Sequence, residues 1–297
     1  MVKNILILGG SGNCGSHLNK YFIKNYKVTS TYFANINYKK EKNYHKINLN
    51  NFKNLEKLIN TINPDLIIHA SALTNVRLCE KNIKRCNLVN FQQTQNVVNI
   101  CKKQNLKLVY ISTDAVYKGK KNYLHKESDK LSYVNNYQKC KIKSENFIKN
   151  NLKKYMILRT NPFGLNKHTN SIFWLFKAFK LKKKINGFID YKYNPIFSLD
   201  LAKILEKLIK LNFNGIINAG SLNTINKYEF ARLIVKQFKL KTIVQKKSIS
   251  SIYSKKNVKQ NSTMNLDKLK KLIQIKNIPT IKQTIRNFYE FEKKIKY

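Results

Sequence analysis

Acidic residues are scarce in this chain of 297 residues. It has 15 Asp and Glu against 58 Lys and Arg, which gives a formal net charge of +43. Such an excess is typical of proteins that bind nucleic acids or anionic membranes. Here, however, the lysines are spread over the whole chain, together with much Asn, Ile and Tyr, whose codons are rich in A and T. Base composition of the gene therefore explains the charge, and we do not expect nucleic acid as a partner.

Long apolar runs and paired cysteines are missing as well. No stretch approaches the roughly 20 consecutive apolar residues of a membrane span. The first strand-like run, Val2 to Leu8, leads into glycines and not into a signal-peptide cleavage region. The five cysteines are scattered and have no CxxC spacing, which argues against a disulfide framework or a zinc site. We therefore expect a cytoplasmic protein without a membrane span or a metal site.

Apolar strands alternate with helix-like stretches in the first half of the chain. Strands are predicted at 3–8, 27–32, 45–49, 65–70, 107–112, 156–159 and 215–218, and helices at 14–25, 52–62, 83–104, 132–150, 171–181, 200–211, 226–238 and 281–294. This alternation is typical of an α/β protein with a parallel sheet buried on both faces. It predicts a Rossmann-type doubly wound sheet over 1–162 and a smaller α+β substrate lobe over 163–297, with the 200–211 helix able to return to the first domain.

A glycine loop follows the first predicted strand and opens the first predicted helix. Gly9, Gly12 and Gly15 form the pattern G-x-x-G-x-x-G. The first glycine permits a tight turn, the second lets the backbone approach a pyrophosphate, and the third allows close packing of helix and strand. The helix N-terminus supplies N–H donors to the anion. The loop therefore predicts a bound dinucleotide.

The end of the second strand bears on which nicotinamide cofactor is bound. An acidic residue there would hold the ribose 2′-hydroxyl of NAD. This strand ends with Thr31 and Tyr32 and has no Asp or Glu, whereas Lys39 and Lys40 follow shortly after. A 2′-phosphate is therefore tolerated. The sequence favours NADP(H), and NAD(H) stays as the alternative.

A tyrosine and a lysine lie four residues apart on a predicted helix, so that Tyr137 and Lys141 share one face. A phenol with a pKa of about 10 is a slow proton donor or acceptor near neutrality. A nearby ammonium favours the phenolate and lowers that pKa. The pair suits the reduction of a carbonyl group, although Y-x-x-x-K also arises by chance on a solvated helix in a chain so rich in both residues.

Polar residues also stand at the end of the predicted strand 107–112, where Ser112, Thr113 and Asp114 follow one another. Open α/β sheets bind their ligands at the carboxyl ends of the strands. A hydroxyl of Thr113 at this edge could hydrogen-bond a substrate carbonyl. A helix cap or a turn is the alternative interpretation of this tripeptide.

The ordered set of motifs resembles the extended short-chain dehydrogenases/reductases, and within them the dTDP-4-dehydrorhamnose reductase-like branch. Besides the glycine loop, Ser112–Asp114 and the Tyr137/Lys141 pair, the resemblance rests on segments spread over nearly the whole chain. These are His69–Val76, Glu80, Asn90, Glu127, Asp129, Lys141–Glu145, Leu158–Thr160, Asn194–Ile196, Asp200–Ala202, Gly220 and Lys227–Phe230.

The resemblance implies roles for particular residues. Tyr137 would donate the proton, Lys141 would lower its pKa and bind the nicotinamide ribose, and Thr113 would complete the catalytic set. Thr113, Asp114 and Asn161 would contact the substrate. Besides Tyr137 and Lys141, the cofactor would be bound by Gly9, Ser11, Gly12, Asn13, Cys14, Gly15, Thr31, Asn48, Leu49, Ala70, Ser71 and Ala72. The implied reaction is NADPH-dependent reduction of the C4 keto group of a nucleotide-linked 6-deoxy sugar.

Several positions depart from the family pattern. Asn48 replaces the usual acidic residue on the adenine side, Asn161–Gly164 stands where a tryptophan is expected, and Val258-Lys259 replaces an Arg-Pro. These changes affect the identity of the substrate more than the reductase chemistry. A nucleotide-sugar epimerase or dehydratase with retained NAD, or a non-catalytic regulatory subunit, stays open as an alternative, and we expect a homodimer as one assembly.

Overall fold

Parallel strands joined by helices form the first half of the chain. The computed structural model describes residues 2–34, 41–165, 176, 178, 184–251 and 261–294. The strands are β1 (Asn4–Leu8), β2 (Lys27–Tyr32), β3 (Tyr44–Lys46), β4 (Leu66–His69), β5 (Lys107–Ile111), β6 (Tyr155–Thr160), β7 (Pro162–Phe163), β8 (Ile185–Phe188), β9 (Lys192–Tyr193), β10 (Ile196–Phe197), β11 (Gly215–Ala219), β12 (Ile225–Asn226) and β13 (Val244–Lys247). The helices are α1 (Asn13–Phe22), α2 (Phe52–Ile62), α3 (Val76–Lys81), α4 (Ile83–Asn87), α5 (Gln93–Lys103), α6 (Asn136–Asn151), α7 (Ser198–Lys210), α8 (Lys227–Gln237), α9 (Asp267–Ile273) and α10 (Ile281–Lys294).

The central sheet has seven strands in the order β3-β2-β1-β4-β5-β6-β11. Every neighbouring pair is parallel. The order runs outward in both directions from the β1–β4 pair, which is the arrangement of a doubly wound Rossmann-type sheet, so the predicted fold class is confirmed. In such sheets the ligand crevice opens beyond the carboxyl ends of the strands, at the point where the strand order reverses.

The strands are apolar on both faces because helices cover the sheet on both sides. In β1, the fully buried Ile5 and Ile7 belong to one core layer, and Leu6 and Leu8 belong to the other. The first layer is closed by α1, α7 and α9, and the second by α2, α5 and α6. Each such buried aliphatic side chain contributes about 1.5–3 kcal/mol by its removal from water. This burial explains the continuous apolar runs of the sequence.

Asparagine side chains fix several helix starts. Asn51, Asn75, Asn135 and Asn226 each accept a hydrogen bond from the backbone N–H three residues further on. Such caps satisfy donors that the first turn of a helix cannot satisfy itself. The cap at Asn226, which accepts from the N–H of Glu229, confirms the predicted start of α8.

Some predicted boundaries differ from the structure. The predicted helix at 83–104 is continuous but contains a π-helical turn at Leu88–Gln92 between α4 and α5. The helix predicted to start at 132 begins at Asn136, because the Asn135 side chain caps it there. The strand predicted at 45–49 is reduced to Tyr44–Lys46. The helix predicted at 171–181 lies outside the described residues except for 176 and 178. Within the described ranges, no helix has the length and apolar character to cross a membrane.

The second half of the chain contributes to the sheet as well as to a separate layer. β11 pairs with β6 at the edge of the central sheet, and α7 packs against α1. The hydroxyls of Tyr21 and Tyr26 donate to the Glu206 carboxylate of α7 at 2.6 and 3.1 Å. The predicted helix at 200–211 is therefore joined to the first helix of the Rossmann sheet, while the division of domains at residue 162 stays a prediction.

The remaining elements of the second half enclose a core rich in aromatic rings. Phe163, Phe197, Phe230 and Phe288 are buried together there. The ring of Phe163 lies 5.1 Å from that of Phe230 and 5.5 Å from that of Phe288, in edge-to-face geometry. Beside this core, the N–H of Ser262 donates to the Lys192 carbonyl of β9 at 2.9 Å, and Ser262 Oγ donates to Asp114 just beyond β5, so β9 lies near the carboxyl end of that strand.

Candidate active site

The glycine loop connects β1 to α1 in a turn that only glycines can form. Gly9 has a φ of +81°, and a side chain on it would lie 2.6 Å from the Cα of Ser71. The backbone N–H of Gly9 donates to Thr31 Oγ1 at 3.0 Å, and that of Gly12 donates to the Gly9 carbonyl at 3.0 Å. A side chain on Gly15 would overlap the Gly9 carbonyl oxygen. The loop therefore lies flat against β2 and β4.

The start of α1 suits an anionic group. Gly12 is its N-cap residue and has no side chain to cap the first turn, which also contains no acidic residue. A helix N-terminus of this kind favours negative charge through its backbone N–H groups and the helix dipole. The residues present therefore fit the pyrophosphate of a dinucleotide.

A groove of about 270 Å³ runs along this edge of the sheet. Among the residues expected to bind the cofactor, it is lined by Gly9, Ser11, Gly12, Thr31, Leu49, Ala70, Ser71 and Ala72. The carboxyl ends of β1, β2 and β4 thus form one continuous wall. Gln93 of α5 holds part of that wall, because its Oε1 accepts a hydrogen bond from Ser71 Oγ at 3.3 Å.

Four further residues of the expected cofactor set lie beside the groove. The carbonyl of Asn13 accepts from His17 Nδ1 at 2.7 Å. Cys14 packs against the core, and burial raises the pKa of its thiol to about 12. Gly15 is buried under the loop, and Asn48 is exposed, its Oδ1 accepting from the N–H of Asn50. Contact of these four residues with a cofactor stays a prediction.

Sequence reasoning missed the helical wall of the groove. Arg85, Val89 and Gln93 line it from α4, the π-helical turn and α5, and Phe33 lines it just beyond β2. The three helical residues are spaced four apart and so share one face. That spacing was available in the sequence, but only the sheet order shows that this face meets the cofactor groove. Arg85 adds a cation to the lining of the groove.

Thr113 and Tyr137 meet just beyond the carboxyl end of β5. Burial raises the pKa of the Tyr137 phenol, as do Asp114, Cys79 and Cys86, whereas a hydrogen bond with Thr113 lowers it. The ring packs against a cluster of buried thiols. The phenol is therefore protonated at neutral pH, and its surroundings raise the pKa, whereas the pairing with Lys141 predicts a lowered one.

Lys141 lies on the same helix but points into the protein. Its Nζ donates to the carbonyl oxygen of Ile111 at 2.8 Å and lies 3.9 Å from the ring centre of Tyr110. Burial lowers the pKa of the ammonium to about 7, against the opposite effect of Glu145. Lys141 is not among the groups named above that shift the pKa of Tyr137. A pKa-lowering and ribose-binding role for Lys141 therefore stays a prediction.

Asp114 is buried and fully engaged by neighbouring side chains. Its carboxylate accepts from Ser262 Oγ at 2.7 Å, from Asn161 Nδ2 at 2.9 Å and from Thr113 Oγ1 at 3.2 Å. Burial raises the pKa of this carboxyl, whereas those hydrogen bonds and the charge of Lys227 lower it. Thr113, Asp114 and Asn161, predicted as substrate residues, are thus brought together, with Asp114 acting as the anchor between them.

A buried ion pair lies next to the strand ends near which Thr113 and Tyr137 meet. The guanidinium of Arg159 contacts the Glu145 carboxylate at 2.7 Å, and both side chains are almost completely buried. Ser112 Oγ donates to the same carboxylate at 2.5 Å, and Arg159 also donates to the Tyr117 hydroxyl at 3.1 Å. The pair therefore joins α6 to β6 and to the loop after β5, where Thr113 lies.

Taken together, a glycine loop, a groove over a Rossmann sheet and a Thr/Tyr/Lys set define a dinucleotide-binding α/β protein of the short-chain dehydrogenase type. Residues 3–292 match the family described as the RmlD substrate binding domain. The chain belongs to this family, which confirms the resemblance seen in its motifs.

Individual relatives share moderate similarity with the chain. A dTDP-4-dehydrorhamnose reductase of Aggregatibacter actinomycetemcomitans is 26% identical over 215 residues, which cover 70% of this chain and 69% of that protein. A dTDP-D-glucose 4,6-dehydratase of Dictyostelium discoideum is 29% identical, and the match covers 92% of this chain but only 62% of that protein. The crystal structure of a Bacillus anthracis dTDP-4-dehydrorhamnose reductase in complex with NADP superposes with a TM-score of 0.86 at 22% identity, over 98% of this chain and 100% of that one.

Proposed function

We propose that this protein reduces the C4 keto group of a nucleotide-linked 6-deoxy sugar with NADPH, as a dTDP-4-dehydrorhamnose reductase-like enzyme. The observation that carries the proposal is the meeting of Thr113 and Tyr137 at the end of β5, next to a groove built around the glycine loop. The reductases among the relatives support it.

The chain's own residues supply the proton and hold the carbonyl. Tyr137 keeps its proton at neutral pH and would transfer it to the carbonyl oxygen as that oxygen gains negative charge. The Thr113 hydroxyl donates its single proton to Asp114 in this structure, and it would turn that proton to the same carbonyl oxygen when the substrate binds. A bound nicotinamide cofactor would supply the hydride to C4. Lys141 would bind the cofactor's ribose hydroxyls, as the family resemblance implies.

The groove favours NADP(H) over NAD(H). After β2 the chain continues with Phe33 and Ala34, and none of the described residues that line the groove is an Asp or Glu that could hold a ribose 2′-hydroxyl or repel a 2′-phosphate. The Thr31 hydroxyl oxygen already accepts a hydrogen bond from the Gly9 N–H. Arg85, which lines the same groove, is a suitable cation for a 2′-phosphate. The solved reductase that carries NADP agrees with this preference.

A dehydratase is the second candidate, since one relative has that activity. Acid–base elimination from a sugar needs titratable side chains that reach the substrate. Asp114 is the acidic residue nearest to Thr113 in the sequence, and its carboxylate is buried and bonded to Ser262 and Asn161. The residue after it is Ala115, which has no functional group. The site therefore favours reduction over elimination.

The proposal is tested by following NADPH and NADH absorbance with dTDP-4-keto-6-deoxyhexose as substrate. Tyr137→Phe removes only the proton-bearing oxygen, and we expect turnover to fall about 100-fold or more with cofactor affinity retained. NADPH-dependent turnover in the wild type that survives this change would refute Tyr137 as the donor. Cofactor binding without turnover on any keto sugar would favour a regulatory subunit. A homodimer and a cytoplasmic location stay predictions.

A further inference from the structure

Lys227, at the edge of the proposed substrate site, is an ammonium group that interacts with Asp114 through its charge but forms no ion pair with any carboxylate of the described residues. Its Nζ lies 4.1 Å from the centre of the Tyr191 ring. Among the described residues, none accepts a hydrogen bond from this Nζ or forms an ion pair with it. The backbone is held firmly, because the Lys227 N–H donates to the Tyr191 carbonyl at 3.1 Å and Asn226 caps the helix that Lys227 begins.

This position is unfavourable for a cation in the protein alone. Burial lowers the pKa of the Lys227 ammonium, and the charge of Asp114 opposes this only in part, so removal of the group from water has a cost. Lys227 is also the first residue of α8, where the helix dipole disfavours positive charge. The face of the Tyr191 ring offsets only part of these costs. A residue whose charge is unfavourable for the stability of its own surroundings tends to mark a functional position.

A chain of contacts links Lys227 to the catalytic threonine. Tyr191, under the ammonium, has its hydroxyl 3.4 Å from Ser262 Oγ. Ser262 donates to Asp114, which in turn holds Thr113. Asp114 already accepts from three side chains, and it acts on Lys227 through its charge without forming an ion pair with it. The ammonium therefore stands on the lobe side of the site, beyond the residues that would touch the reacting carbonyl.

We propose that Lys227 is a substrate-specificity residue that pairs with a diphosphate oxygen of the nucleotide-linked sugar. This inference rests on the proposed function. In a pyranose ring, C4 lies across the ring from C1, which carries the diphosphate. A sugar whose C4 carbonyl faces Thr113 and Tyr137 would place its diphosphate on the far side of the ring. Lys227, whose ammonium has no hydrogen-bond acceptor among the described residues, would supply a cation there from the substrate lobe.

The test uses nucleotide binding by the full chain and does not depend on turnover. The affinities of dTDP and UDP are measured by isothermal titration calorimetry for the wild type, Lys227→Met and Lys227→Arg. Lys268→Met is the matched control, because it removes the same charge from an exposed lysine that lies 5.1 Å over the Phe213 ring. Circular dichroism checks that every variant is folded.

We expect Lys227→Met to bind the nucleoside diphosphate tenfold or more weakly, since hydrogen bonds to charged groups are the stronger ones. Lys227→Arg should bind within a few-fold of the wild type, and Lys268→Met should bind as the wild type does. Added salt should weaken binding less in Lys227→Met than in the wild type.

Three outcomes would overturn the inference, and they differ in what they say of the function. If the wild type binds dTDP or UDP and Lys227→Met binds it equally well, Lys227 does not hold the diphosphate, while the nucleotide-sugar proposal stands. If the wild type binds neither nucleotide, the nucleotide-sugar proposal fails as well. Equal weakening in Lys227→Met and Lys268→Met would assign the effect to net charge alone and so contradict a specific contact.

Discussion

The buried ammonium of Lys141 makes the stability of the cofactor-free protein depend on pH in a defined window. Its pKa is about 7 in the folded chain, because burial disfavours the charged form, whereas an unfolded lysine titrates near 10.4. Between these values the unfolded chain holds a proton that the folded chain has released. Stability therefore rises with pH from about 7 upward, and the full cost of the buried charge is present below pH 7.

The size of this effect follows from the two pKa values. Each pH unit over which only the unfolded state keeps the proton adds about 1.4 kcal/mol to the free energy of unfolding. At pH 7 about half of the folded molecules still carry the proton, and by pH 9 almost none do, so the contribution of Lys141 between these pH values is about 2 kcal/mol. Lys141→Met removes the titrating group and keeps most of the side chain's length.

The assay is urea unfolding followed by circular dichroism at pH 7 and pH 9. The gain in unfolding free energy from pH 7 to pH 9 should be about 2 kcal/mol larger in the wild type than in Lys141→Met. Lys143→Met is the control, since it removes a charge from the exposed side of the same helix and should leave the wild-type gain intact. An equal gain in the wild type and Lys141→Met would show that Lys141 is not desolvated as described.

Three further changes test other parts of the site. Glu145→Ala leaves the Arg159 guanidinium buried without its carboxylate, so the free energy of unfolding should fall by about 3–5 kcal/mol in urea titrations; a loss below 1 kcal/mol would contradict a buried pair. Gly15→Ala forces a side chain into the glycine loop, and NADPH fluorescence titration should show at least a tenfold loss of affinity. Ser262→Ala removes one hydrogen bond to Asp114, so KM for the keto sugar should rise several-fold while the Kd for NADPH is unchanged; a change in the NADPH Kd instead would place this contact on the cofactor side.

The parts of the site that follow from local sequence were predictable. The glycine loop is one short segment whose spacing carries its own geometry. Thr113 and Asp114 stand at a strand end, and every parallel strand brings its carboxyl end to the same edge of the sheet. The position of Tyr137 could be predicted because its helix puts the side chain on the face that lies toward that edge of the sheet. In each case, a single strand or helix and the general rule for parallel α/β sheets were sufficient for the prediction.

The parts that depend on packing between distant segments were not predictable. Ser262 lies 148 residues from Asp114, and its contact is formed only when the second half of the chain folds over the sheet. The direction of Lys141 is another example. Helical spacing places it beside Tyr137, but its ammonium turns to the Ile111 carbonyl, because that acceptor lies within reach in the interior. Helical periodicity predicts the face of a helix on which a residue lies. It does not predict the group to which a long side chain on that face forms a hydrogen bond.

The structure also bears on the net charge of +43. Several of the few carboxylates are buried and bonded to defined partners: Asp114 to Ser262, Glu145 to Arg159, Asp200 to Thr284, and Glu206 to Tyr21. Each of them joins segments that are distant in the sequence, so loss of the carboxylate would leave a buried donor or cation unpaired. An exposed acid carries no such cost, because surface ion pairs contribute little to stability. The buried carboxylates thus have a structural role that exposed acids lack, and the surface charge by itself does not indicate a nucleic-acid partner.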